Sequence, residues 1–167
     1  MKLPKTFRNE TKPCTENKEG EKGMIREFRG KYLFLSNFYE GKVFEYKGMK
    51  FTNTEAAFHS QKCLSMQKQF EMMRPSQSKQ LGRKVPLRPD WNKIRTQIMH
   101  DVCYAKFTQD EELKRKLLAT GDKYLEEGNY HGDKFWGTTY SKRERQWIGE
   151  NNLGKILMQL RKELREK

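Results

Sequence analysis

Cysteine is scarce in this chain. Three residues in 167, Cys14, Cys63 and Cys103, are odd in number and widely spaced, which excludes a disulfide framework and a clustered zinc site. Reduced thiols of this kind fit a cytoplasmic setting. Long apolar runs are absent too: nothing approaches the roughly 20 residues that cross a bilayer, and the first residues lack the apolar core of a signal peptide. A soluble protein without a membrane partner is expected. Histidine is limited to His59, His100 and His131, which show no ligand spacing, so no metal is assigned. No repeat or low-complexity tract is present.

What the chain does hold is aromatic mass and positive charge. Only 34% of residues are hydrophobic, yet 10 Phe, 7 Tyr and 3 Trp supply enough apolar area for one folded domain. The formal net charge is +13. Residues 1–23 mix six Lys/Arg with four Glu and have no apolar periodicity, so they read as a loose extension ahead of a domain over 24–167. Between Lys62 and Arg95 nine basic residues face two acids, Glu71 and Asp90, a density that attracts phosphorylated ligands or nucleic acid.

The periodicities predict an α+β fold with more helix than strand. Met24–Phe28 reads as a short strand, and Val43–Tyr46 with Met49–Phe51 reads as an antiparallel hairpin turning at Lys47-Gly48. Thr52 and Glu55 have capping-box spacing, which predicts a helix from there to about Met66. A second helix is expected over Trp91–Phe107, with Asp90 as N-cap and Trp91, Ile94, Ile98, Val102 and Ala105 on its apolar face. A third runs over Asp110–Thr120 and stops at Gly121. The last is capped by Asn151 or Asn152 and carries the stripe Leu153, Ile156, Leu157, Leu160, Leu164. Tyr130–Gly149 reads as a long irregular aromatic segment, a kind usually functional in compact domains.

Two carboxylates stand out: Glu55 in Asn53-Thr54-Glu55-Ala56-Ala57-Phe58, and Asp133 in Gly132-Asp133-Lys134-Phe135-Trp136-Gly137. Each has an ordinary reading, Glu55 as a capping residue and Asp133 as a turn former. Trp91 and Trp136 read equally as core. Lys62 lies seven residues after Glu55, on the same face of a continuous helix, and Arg83 offers a planar fork suited to phosphate. Ser36 and Asn37, enclosed by Leu35 and Phe38, can cap a turn or bind a ligand.

The series Phe34-Leu35-Ser36-Asn37-Phe38, Thr54-Glu55 with Gln61-Lys62, Leu81-Gly82-Arg83, Trp91, Asp133 with Trp136-Gly137, and Asn152-Leu153-Gly154-Lys155-Ile156-Leu157-Met158 with Arg161 resembles the NADAR superfamily of YbiA-like N-glycosidases. The resemblance covers about residues 26–165. It implies an α+β fold and hydrolysis of a ribose C–N bond, in ribosylamino-pyrimidine phosphates of riboflavin synthesis or in ADP-ribose attached to guanine of nucleic acid. It implies no metal or redox cofactor. By motif position it makes Glu55 and Asp133 the active-site acids beside Trp91 and Trp136, with Ser36, Asn37, Phe38, Lys62, Arg83 and Gly137 around the substrate. Ala56 and the basic, polar stretch Tyr140–Trp147 depart from the family pattern. A module that holds ADP-ribose, NAD or nucleic acid without turnover is the competing expectation, distinguished by the lack of products and, where phosphate contacts alone bind nucleic acid, by steep salt dependence.

Overall fold

The computed structural model describes residues 23–167, so all but Gly23 of the extension read over residues 1–23 lies outside the described part. Helices and short strands alternate. Strand β1 (Met24–Arg26) leads to a 3₁₀ segment, Gly30–Leu35, and then to the hairpin β2 (Phe44–Tyr46) and β3 (Met49–Phe51). Helices α1 (Thr54–Ser60), α2 (Pro75–Gly82), α3 (Trp91–Thr108) and α4 (Glu111–Ala119) follow, with a second 3₁₀ segment at Leu64–Phe70 between α1 and α2. Strands β4 (Tyr124–Glu126), β5 (Gly128–Asn129), β6 (Thr138–Ser141) and β7 (Gln146–Ile148) precede the final helix α5 (Asn152–Arg165). Among the described residues no helix is long and apolar enough to cross a membrane.

The hairpin forms in the expected register, Phe44 opposite Phe51 and Tyr46 opposite Met49, with Lys47 and Gly48 both at positive φ as a tight two-residue turn requires. Two further sheets were not visible in the sequence. β1 pairs in parallel with β4 across about a hundred residues, and β5–β6–β7 joins one parallel pair to one antiparallel pair. Part of the segment read as irregular over Tyr130–Gly149 is therefore strand.

Helix α3 is the centre of the core. Its predicted face is buried at Trp91, Ile98, Val102 and Ala105, but Met99, Cys103, Lys106 and Phe107 are buried as well, so the face expected to be polar is largely covered. Helix α5 buries its predicted stripe and adds Arg161, whose guanidinium donates to Thr120 Oγ1 and to the Lys123 carbonyl, each at 2.9 Å. Gly154 lets α5 lie against β4: a Cβ there would sit 2.1 Å from the Leu125 carbonyl oxygen.

Three local expectations are corrected. Asn53, not Thr52, caps α1, its Oδ1 accepting from the Ala56 N–H at 2.8 Å while its Nδ2 donates to the Met73 carbonyl at 2.9 Å. α1 ends at Ser60, so Lys62 lies beyond the helix instead of two turns along it, and α2 starts on Pro75, an N1 proline that the sequence reading passed over. The Asp90 side chain does not cap the α3 N-terminus, because Arg88 engages its carboxylate at 2.7 Å. Asn53→Ala is accordingly expected to lower stability by about 1–2 kcal/mol in urea unfolding, and Thr52→Ala by much less; equal losses would contradict the cap assignment.

Candidate active site

An open cavity of about 360 Å³ lies where the turn after the first 3₁₀ segment, α1, the C-terminal end of α2, the first half of α3 and the β4–β6 loops meet. Ser36, Asn37, Phe38, Glu55, Lys62, Arg83, Trp91, Asp133 and Trp136 all line it. Gly137 does not: it is buried against the backbone, where a Cβ would sit 2.0 Å from the Glu127 carbonyl oxygen, and its own carbonyl accepts from Asn151 N–H.

Glu55 stands in the first turn of α1 and is nearly buried. Its backbone N–H donates to the Asn37 carbonyl at 3.2 Å, and Asn37 Oδ1 accepts from Thr54 Oγ1 at 2.7 Å, so the Ser36–Asn37 turn is clamped to the start of this helix. The carboxylate is then held from one turn along: His59 Nε2 lies 2.8 Å from Glu55 Oε1, the ring donating when Nε2 carries the proton. His59 Nδ1 is buried without a partner among the described residues and faces Gly82, where a Cβ would come within 2.2 Å. Asn37 itself is buried, and Ser36 Oγ accepts from Phe38 N–H, so both turn residues have local structural partners as well as places on the cavity wall.

Asp133 satisfies its turn-forming reading and its site position together. Oδ1 accepts from the N–H groups of Phe135 and Trp136, at 3.0 and 2.9 Å, whereas Oδ2 has no hydrogen bond among the described residues. Asn129 staples the loop from behind, accepting from Asp133 N–H and donating to the Asp133 and Thr138 carbonyls. Trp136 is half-buried, its ring edge-on to Phe58 and to Phe135, and Trp91 is buried against Phe58 at 5.0 Å between centroids. Trp91 thus offers the cavity only a margin of a packed ring.

The residue that the sequence reading missed is Glu127. It lies between β4 and β5 on the cavity wall, its N–H bonded to Asn151 Oδ1 at 2.9 Å and its carbonyl to the Thr138 N–H. Asn151 adopts a left-handed conformation (φ 52°) and caps no helix with its side chain; it holds Glu127 N–H and the Leu125 carbonyl instead. Burial, with Asp133 and Glu55 nearby, pushes the Glu127 carboxyl up to about 8, and Lys79 and Lys106 only partly oppose this. A signal for it exists in retrospect, since a glutamate at the end of a buried strand, six residues before Asp133, is an unusual place for a solvent-facing acid.

Five cations, Arg29, Lys62, Lys79, Arg83 and Arg95, also line the cavity. Lys62 donates to the Gly82 carbonyl at 3.3 Å, and burial draws its pKa down despite the attraction of Glu55. Arg95 lies 3.6 Å over the Phe135 ring. Beneath the Ser36 turn, buried Lys106 donates to the Ser36 carbonyl at 3.1 Å, and its burial lowers the amine to about 8. Among the described residues no group of three or more His, Cys, Asp or Glu side chains is arranged to hold a metal ion.

The raised Glu127 pKa sets a sign for stability. The unfolded carboxyl ionises near its ordinary value of 4.5 and the folded one near 8, so the cost of folding grows as pH rises from 4.5 and levels off above about 8. Glu127→Gln, which mimics the neutral acid, is expected to raise the urea midpoint at neutral pH and to lose that gain below 4.5. A gain that is the same at both pH values would contradict this environment.

Comparison with known proteins follows the same boundaries. A family model described as the NADAR domain matches residues 25–165. A riboflavin biosynthesis protein of Vibrio vulnificus is 35% identical over 138 residues, which are 80% of this chain and 36% of that protein. An N-glycosidase of Nostoc punctiforme is 40% identical over 93 residues, 54% of this chain and 56% of its own. N-glycosidase YbiA of Escherichia coli is 34% identical over 122 residues, covering 70% of this chain and 72% of YbiA. This chain therefore spans about a third of the Vibrio relative and little more than half of the Nostoc one. The NMR structure of Escherichia coli YbiA superposes with a TM-score of 0.73 at 29% identity, over 86% of this chain and 85% of that one. The matched span runs from β1 to the last turn of α5 and takes in every wall of the cavity; the chain belongs to the NADAR domain family.

Proposed function

We propose that this chain is a hydrolase that cleaves a ribose C–N glycosidic bond in a small phosphate-bearing substrate, of the ribosylamino-pyrimidine class used in riboflavin synthesis, without a metal or redox cofactor. The observation that carries the proposal is the convergence of three carboxyl groups, one of them neutral, with five cations on a single cavity. The names of the relatives support it: one is a riboflavin biosynthesis protein and others are N-glycosidases.

The chemistry needs a proton for the departing nitrogen, negative charge beside the developing ribose cation, and a base for water. Glu127, protonated at neutral pH, supplies the proton to nitrogen as the C1–N bond breaks and its electron pair leaves with the base or amine. Asp133 keeps one oxygen in its turn and turns the other to the cation or its hydroxyls. Glu55, oriented by His59, takes the proton from the water that attacks C1, and that proton returns to Glu127 through solvent. Trp136 and the margin of Trp91 wall the leaving group, while Lys62, Arg83 and neighbouring cations neutralise phosphate. A module that merely held a phosphorylated ligand would gain nothing from two carboxylates that repel it, which disfavours the non-catalytic reading.

Hydrolysis in ¹⁸O-labelled water tests the proposal. The label is expected on the ribose C1 hydroxyl, with a free base or amine as the other product, and Glu55→Gln should lower kcat about 10²- to 10⁴-fold. The rate should also fall as pH rises through about 8, because the acid is active only while Glu127 holds its proton. Release of ADP-ribose from modified guanine, with the ribosylamino-pyrimidine untouched, would keep the bond and change the substrate; recovery of both substrates intact would overturn the enzyme reading.

A further inference from the structure

The basic, aromatic stretch Tyr140–Trp147 has no part in the cavity, yet the structure gives it a distinct surface. Trp147 on edge strand β7 is the hub. The Tyr130 and Tyr140 rings each pack edge-on to it at 5.8 Å between centroids, and the Arg26 guanidinium lies 4.9 Å over its ring. Arg29 lies 5.4 Å over the Tyr130 ring. Both tyrosines are exposed, Tyr130 at 66% and Tyr140 at 41%, so these rings are not spent on the core.

The turn joining β6 to β7 places Lys142, Arg143 and Arg145 in solvent. Its acid, Glu144, is engaged by Gln146 Nε2 at 3.2 Å; of the other acids nearby, Glu126 pairs with Arg26 and Glu27 accepts from the Tyr130 hydroxyl. The turn's cations outnumber its acid, so positive charge is left over beside the exposed Tyr130 and Tyr140 rings. The surface also adjoins the cavity: Arg29 lines both, and Tyr130 stands between Asn129 and His131, two residues of the cavity wall.

We propose that this aromatic and cationic face, built on Tyr130, Tyr140 and Trp147 with Lys142, Arg143 and Arg145, is a docking platform for a single-stranded nucleic acid segment. Exposed rings offer stacking partners to unpaired bases of any sequence, and interleaved cations follow the phosphates, a combination that a duplex, whose bases are already stacked, does not exploit. An acidic peptide would use the cations and leave the rings idle. The platform binds independently of turnover at the cavity, so its test does not depend on the reaction proposed above.

The test is fluorescence anisotropy of the full chain with a labelled single strand of about ten nucleotides, beside its duplex and with polyglutamate as competitor. The single strand should bind more tightly than the duplex. Tyr130→Ala with Tyr140→Ala should weaken binding about 10-fold or more, and Lys142→Ser with Arg143→Ser should reduce the slope of log K against log salt by about 0.7 for each lost phosphate contact. The serine pair lies in an exposed turn and keeps the test decisive should the alanine pair fail to fold. Undiminished binding in the serine pair, equal affinity for duplex, or full displacement by polyglutamate would each overturn the platform.

Discussion

A partly buried carboxyl group with two other carboxylates nearby cannot easily give up its proton, and that constraint organises the site. Glu127 stays neutral to about pH 8 because ionisation would place a third negative charge beside Asp133 and Glu55 in a poorly solvated place. One cluster of like side chains thereby holds both an acid and potential bases at neutral pH. The nearby cations limit the effect without abolishing it, and they leave the cavity attractive to phosphate although its floor is acidic.

Buried asparagines hold this arrangement together. Asn37 fixes the Ser36 turn to α1, Asn53 caps the helix that carries Glu55, Asn129 shapes the Asp133 loop, and Asn151 pins the backbone of Glu127. The amides of Asn53, Asn129 and Asn151 satisfy main-chain groups that irregular segments would otherwise bury without partners, while that of Asn37 bonds the Thr54 hydroxyl and the Met99 sulfur. A short amide side chain does this with little conformational entropy to lose, which suits loops that must place acids accurately.

Much of the helical frame is legible in the sequence, because the stripes of α3 and α5 have the period of one buried face and the β2–β3 turn needs glycine chemistry. The parallel pairing of β1 with β4 is not, since three-residue strands a hundred residues apart carry no periodic signal. Glu55 and Asp133, which by local context read as a cap and a turn former, are singled out only by the family resemblance, and both line the cavity. Glu127 hides in Leu125-Glu126-Glu127-Gly128, where the identical neighbour Glu126 merely pairs with Arg26. Only the strand register decides which of the two meets the cavity. Gly137 is the reverse case, a residue in a site motif that serves backbone packing.

Glu127 also separates this site from an ordinary phosphate pocket. In the proposed reaction the cations account for phosphate binding, and a neutral acid beside two further carboxyls accounts for departure of the nitrogen leaving group. Isotope-edited infrared spectroscopy of the protein with ¹³C-labelled glutamate tests this directly. At neutral pH a protonated-carboxyl stretch should appear in the native protein, vanish in Glu127→Gln, and fade in the native protein as pH is taken well above 8. A native spectrum at neutral pH containing only ionised glutamate would contradict the account.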